Sequence, residues 1–124
     1  TDFHSVLIGM SRSQKIPALF EIGFPIPHDQ EKGEILGYHC WTRAWAQDLH
    51  QWIPIDATEA KKTGRTNDYF GKLPSNRIHF TRGRDLVLSP PQKGEPLNYF
   101  IYPYAELNGK PFSNINRHFS FERL

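Results

Sequence analysis

The stretch GYHCWTRAW, residues 37–45, sets a histidine directly before the only cysteine in the chain. An imidazole and a thiol are the two groups that thiol-based nucleophilic catalysis needs. Read as a strand, the segment turns His39, Trp41, Arg43 and Trp45 to one face and Tyr38, Cys40, Thr42 and Ala44 to the other. Neighbouring strand residues point apart, so His39 and Cys40 do not form a dyad, and Cys40 reads as core packing. In the next apolar segment, QWIPIDA, Trp52, Pro54 and Asp56 share one face, and Ile53 and Ile55 share the other. A hairpin closing over AQDL sets His39 opposite Asp56, Trp41 opposite Pro54 and Arg43 opposite Trp52. Opposed residues bring their Cβ atoms to about 4.5–5.5 Å, within reach of an imidazole–carboxylate hydrogen bond. Such a bond fixes the ring tautomer and leaves the other nitrogen as a base. The same contact also has a plainer reading, a His–Asp pair that stabilises a hairpin.

No other pattern competes. The histidines at 4, 28, 39, 50, 79 and 118 show no metal-ligand spacing, and no acidic run has calcium-loop spacing, so no metal or cofactor is expected. His79 reads as a surface or packing residue. There is no glycine-rich phosphate cradle, and Ser5 and Ser11 lack the context of an activated serine. Arg82, Arg84 and Asp85 read as a turn salt bridge.

The elements that must hold His39 and Asp56 follow from periodicity. Phe3, Val6, Leu7 and Met10 recur at helical spacing, with Asp2 in the first turn where a carboxylate suits the helix dipole. Pro17 ends that helix, and residues 18–24 alternate as a strand. Strands are also predicted at 37–46, 51–57, 77–83 and 85–90, and in the aromatic run LNYFIYPYAELNGK, which ends in an Asn-Gly turn. Residues 58–76 read as irregular with one helical turn near 68–71, and residues 112–124 carry a final edge strand. A helix followed by mostly antiparallel strands is an α+β arrangement in one domain spanning residues 1–124. The 124 residues include nine Phe, five Tyr and three Trp, enough large rings for a modest core.

Net charge is +2, and the one basic cluster, Lys61, Lys62 and Arg65, is too narrow for a nucleic-acid footprint. No apolar run reaches the length of a membrane span. A helix that begins at once, without a lead, reads as the C-terminal part of something longer.

Taken together, GYHCWTRAW and QWIPIDATEA resemble the second half of the transglutaminase-like cysteine hydrolase core, with its His-x-Trp on one strand and Trp-x-Pro-x-Asp on the next. The flanks TDFHSVLIGMSRSQKIPALFEIGF, DYFGKLPSNRIHFTRGRDL and NYFIYPYAE resemble bacterial members of that group, so the likeness runs to about Glu106. The resemblance implies a papain-like arrangement, an N-terminal helix packed on the sheet, and a Cys-His-Asp triad acting on peptide or glutamine amide bonds. His39 would be the base and acid, and Asp56 would orient it. The nucleophile is expected just before Thr1, in a missing N-terminal segment, and Cys40 does not match its position. The substrate implied is a protein or peptide. The alternative is a catalytically inactive peptide-binding or structural module of the same fold, using exposed aromatics such as Tyr99, Tyr102 and Tyr104.

Overall fold

A computed structural model describes residues 2–124. Helix α1 (Asp2–Ser13) has Asp2 in its first turn and Arg12 in its last, both complementary to the helix dipole. Its buried residues are His4 and Ile8, while Phe3, Val6 and Met10 are exposed. The expected core stripe of Phe3, Val6, Leu7 and Met10 is therefore rotated, with Leu7 left at its margin. Counting His4 as polar misplaces the stripe, because its imidazole is buried in a hydrogen bond with Thr58. Beyond Lys15, which takes positive φ, Pro17 stops the helix, and the Arg12 guanidinium bonds the carbonyl of Ala18.

Strand β1 (Ala18–Pro25) is central in a four-stranded antiparallel sheet. After the short β2 (Lys32–Glu34), β3 (His39–Ala46) runs beside β1, and β4 (Gln51–Ile55) lies outside β3. Two helices follow, α2 (Ala57–Thr63) and α3 (Thr66–Tyr69), and then β5 (Arg77–Arg82), which takes the other edge of β1. The core fills one sheet face with Phe20, Ile22 and Phe24 from β1, Cys40 from β3, Ile8 from α1, and Ile101. Cys40 is 4% exposed, in line with its reading as packing.

Two predicted strands are absent. Leu86 and Leu97 form only an isolated bridge, and the aromatic run 97–104 is not a strand. Proline at 90, 91, 96 and 103 removes ladder donors from both segments. The rings pack one by one instead. Tyr99 and Tyr102 close the core edge against Tyr38, and Tyr102 also meets Phe119. Tyr104 is half-buried and donates to Glu106, so the three tyrosines do not form the exposed surface that an aromatic docking face would need. The Asn-Gly turn does form. Asn108 and Gly109 both take positive φ and join β6 (Glu106–Leu107) to β7 (Lys110–Pro111). The final strand, β8 (Ser120–Glu122), pairs with β2.

The segment read as irregular holds α2 and α3. Asp56 caps α2 by accepting from the backbone N–H of Glu59, and Gly64 ends it in the left-handed conformation. That Asp-x-x-Glu run, closed by a glycine, is the local signal that makes this segment helical rather than irregular. Lys61 and Lys62 are exposed on α2, and Arg65 pairs with Asp68. Among the described residues, no helix is long and apolar enough to cross a membrane.

Candidate active site

The site forms where β4 leaves the sheet. β3 pairs with β1 from His39 to Ala44, but β4 pairs with β3 only from Thr42 to Ala46. The edge of β3 at residues 39–41 is therefore without a strand partner on that side. Asp56 follows the last strand residue and turns into α2, with its N–H donated to the carbonyl of Tyr69. α1 packs across β1 and β3, and His4 in its first turn lies beside the gap.

The ladder register differs from the one expected. Arg43 faces Pro54 and Trp45 faces Trp52, a displacement of two residues from the predicted pairing. The turn decides this: a 3-10 turn over Gln47–Leu49 is closed by His50 at positive φ, and the Trp45 and Trp52 rings then meet edge to face at 5.6 Å. A shift of two keeps every side chain on its predicted face. His39 and Asp56 become diagonal rather than direct neighbours, and they still meet. His39 Nε2 lies 2.6 Å from Asp56 Oδ2, with the imidazole 18% exposed and the carboxylate fully buried. Nδ1 is the nitrogen left over.

Asp56 has further partners. Oδ1 accepts from the Glu59 N–H at 3.0 Å, and the Arg77 guanidinium reaches Oδ2 at 3.4 Å. Burial opposes the charge on Asp56, but hydrogen bonds from His39 and Glu59, with the nearby imidazoles, hold its carboxyl below the usual range. His4 lies 3.8 Å from Oδ1 and bonds Thr58 Oγ1 at 3.0 Å. Burial pushes the His4 pKa down to about 4, outweighing the attraction of Asp56, so the ring is neutral near pH 7.

Sequence reasoning missed both His4 and Arg77. Neither belongs to a local motif, because each comes to Asp56 from an element distant in the chain. His4, His39 and Asp56 each bring a ligand-type atom within 4.8 Å of the other two. The Nε2 atoms of both imidazoles and the two oxygens of Asp56 already have protein partners, and a guanidinium stands beside the carboxylate. That chemistry suits proton handling better than a cation.

The face that carries His39 is organised by a second buried carboxylate. Glu21 is 1% exposed and accepts from Trp41 Nε1 at 2.6 Å, Arg43 at 2.9 Å and Arg82 at 2.7 and 3.0 Å. Burial works against its charge, and the bonds from Arg82, Arg43 and Trp41 overcome it, so the carboxyl sits below its usual range. Arg82 thus serves Glu21 rather than a turn salt bridge with Asp85. Arg84 bonds Ser5 and Asn98 and lies over the Phe20 ring. His79, half-exposed, meets the Trp41 ring edge to face. Trp41 crosses β1 at Gly23, where a Cβ would lie 1.9 Å from the Ile78 carbonyl oxygen and 2.8 Å from the indole. Glycine is required there by space.

Part of this scaffold is similar to known proteins. Residues 1–57 match the family model of the Transglutaminase-like superfamily. This stretch resembles the transglutaminase-like superfamily. It contains α1, β1, β3 and β4, together with His39 and Asp56. An uncharacterized protein of Haemophilus influenzae is similar to the chain, at 25% identity over 147 aligned positions covering 94% of the chain. The match spans 40% of that protein's length. No solved structure matches the chain. The matched stretch thus holds the elements around the His39–Asp56 contact, and the residues beyond it supply most of α2, together with α3 and β5.

Proposed function

We propose that this chain carries the histidine and carboxylate of a Cys-His-Asp amidase acting on peptide bonds or glutamine side-chain amides. The observation that carries the reading is the 2.6 Å bond between His39 Nε2 and the buried carboxylate of Asp56, beside the first turn of α1. Asp56 holds the ring and steadies its protonated form, which leaves Nδ1 to face a thiol. The thiol is expected immediately before Thr1, a residue outside those described. At that position it would meet the N-terminus of α1, where unpaired N–H groups and the helix dipole lower a thiol pKa.

His39 takes the thiol proton, and the thiolate attacks the amide carbon. The tetrahedral oxyanion collapses to a thioester as His39 protonates the departing amine. Water then attacks the thioester, His39 accepts its proton, and the carboxylate leaves with return of the thiol; an amine in place of water gives a crosslink. Cys40 is not the nucleophile in this scheme, because it is buried in the core beneath the opposite face of β3.

The test is release of amine or ammonia from peptide and glutaminyl amides by the full-length protein. Turnover should be abolished by His39→Ala and by alkylation of a thiol that reacts near neutral pH, while a chain starting at Thr1 should be inactive. Cys40 should label only on unfolding. Turnover that survives His39→Ala, or rapid native-state labelling of Cys40 with loss of activity, overturns the assignment.

A further inference from the structure

Asp56 is fully buried, so its negative charge must be balanced inside the protein. His39 balances it only while protonated. The catalytic scheme proposed above, on which this inference rests, leaves His39 neutral for part of every cycle. Among the described residues, the charged and titratable groups facing Asp56 come from four elements. His39 lies on β3, His4 on α1, Arg77 on β5, and Glu59 on α2. His4 is buried and neutral near pH 7. Glu59 contributes only its backbone N–H, and its carboxylate pairs outward with Lys62 at 3.6 Å. Arg77 alone brings a charge that persists through the working pH range.

Its placement is specific. Arg77 opens β5 opposite Pro25 of β1, and its side chain is 10% exposed. The preceding residue anchors it: Asn76 donates its side-chain amide to the Ile26 carbonyl at 2.8 Å and accepts the Ile26 N–H at 2.8 Å. The same Asn76 accepts from Arg77 Nη1 at 3.4 Å, while Nη2 reaches Asp56 Oδ2 at 3.4 Å. At that separation a guanidinium balances charge strongly but does not displace the imidazole, which holds the same oxygen at 2.6 Å.

We infer that Arg77 is a positioning residue for the His39–Asp56 pair, a permanent counter-ion that keeps Asp56 ionised whether His39 is neutral or protonated. It acts on the reaction through Asp56 and touches no reacting atom. Its role is to prevent the proton on His39 from being taken up by the carboxylate, so that it passes to the leaving amine.

The test is the titration of the Asp56 carboxyl, followed by carbon NMR in the protein and its variants. Arg77→Gln removes the charge, so Asp56 should titrate at a pH higher by roughly one unit, and Arg77→Lys should restore most of that shift. If Arg77→Gln does not fold, Asp56→Asn combined with Arg77→Gln should fold, because no charge is then left unbalanced. An unchanged Asp56 titration in Arg77→Gln overturns the inference. So does a Lys variant shifted as far as the Gln variant, or a double variant that fails to fold after Arg77→Gln alone has failed. None of these readings needs turnover. An Asp56 shift in a protein without thiol-dependent amide turnover would support the counter-ion and refute the amidase, and the reverse result would do the opposite.

Discussion

His39 and Asp56 are bonded at 2.6 Å across a hairpin whose ladder does not pair them. Continued past Ile55, the register would set Asp56 opposite Trp41, two residues from His39. The chain leaves the sheet at that point to start α2, and the same carboxylate caps the helix. Asp56 therefore has two duties at once. One oxygen fixes the entry of α2, which fixes the direction in which the other oxygen faces the imidazole.

That division separates two substitutions. Asp56→Asn retains an acceptor for the Glu59 N–H, so α2 and the far-ultraviolet circular dichroism should persist. Turnover by the full-length protein should fall by about 10²–10⁴-fold, because an amide cannot steady the imidazolium. Asp56→Ala should lose the cap as well, with a further cost of about 1 kcal/mol. Unchanged turnover in Asp56→Asn would remove Asp56 from the mechanism.

His4 sets an acid limit on stability. Its pKa is about 4 in the fold against an ordinary 6.5, so the unfolded chain binds the extra proton between those values. The stability this neutral ring contributes is complete above pH 6.5 and is lost as the pH falls toward 4. At pH 4.5 the loss should be about 2–3 kcal/mol relative to pH 7.5. His4→Gln should shrink that pH difference in urea denaturation by a similar amount, whatever it does to stability at pH 7.5. An equal pH difference in both proteins would rule the effect out. The depressed carboxyls of Asp56 and Glu21 act in a lower window, since their stabilisation is present above the ordinary carboxylate range and is lost below it.

Glu21 should prove more important to the fold than its place in an apolar strand suggests. Glu21→Ala strands the indole N–H of Trp41 in the interior and frees two guanidiniums toward water. The partial exposure of Arg43 and Arg82 limits the penalty, so a loss of about 2–3 kcal/mol is expected. Glu21→Gln, which keeps one strong acceptor, should lose less. Equilibrium denaturation that ranks Gln as the worse variant would contradict this account.

Gly23→Ala should destabilise by about 3 kcal/mol or prevent folding, since the new methyl group would meet the backbone oxygen of Ile78. Trimming the indole in Trp41→Phe should not rescue it, because the obstructing atom belongs to β5. A stable double variant, measured by thermal unfolding, would show that the indole was the real obstacle.

Much of this was legible in the chain itself. Alternation assigned His39, Trp41, Trp52 and Asp56 to one face, and that assignment survived a register displaced by two because strand side chains repeat with period two. Turn chemistry marked Asn108–Gly109, and Pro17 marked the end of α1. The aromatic run 97–104 has the composition of a strand but not the conformation, because β-propensity reports rings that suit a buried surface, and here that surface is the edge of another sheet's core.

What only the tertiary structure decided is the company Asp56 keeps. His4 and Arg77 lie 52 positions before it and 21 after it, and no local periodicity encodes their meeting. The rotation of α1 about its axis was equally out of reach, since the helix carries apolar residues on more than one side. Sequence periodicity determines which face a side chain takes within its own element. How the elements dock is set by the burial of one imidazole, the close approach over one glycine and the balance of two buried carboxylates.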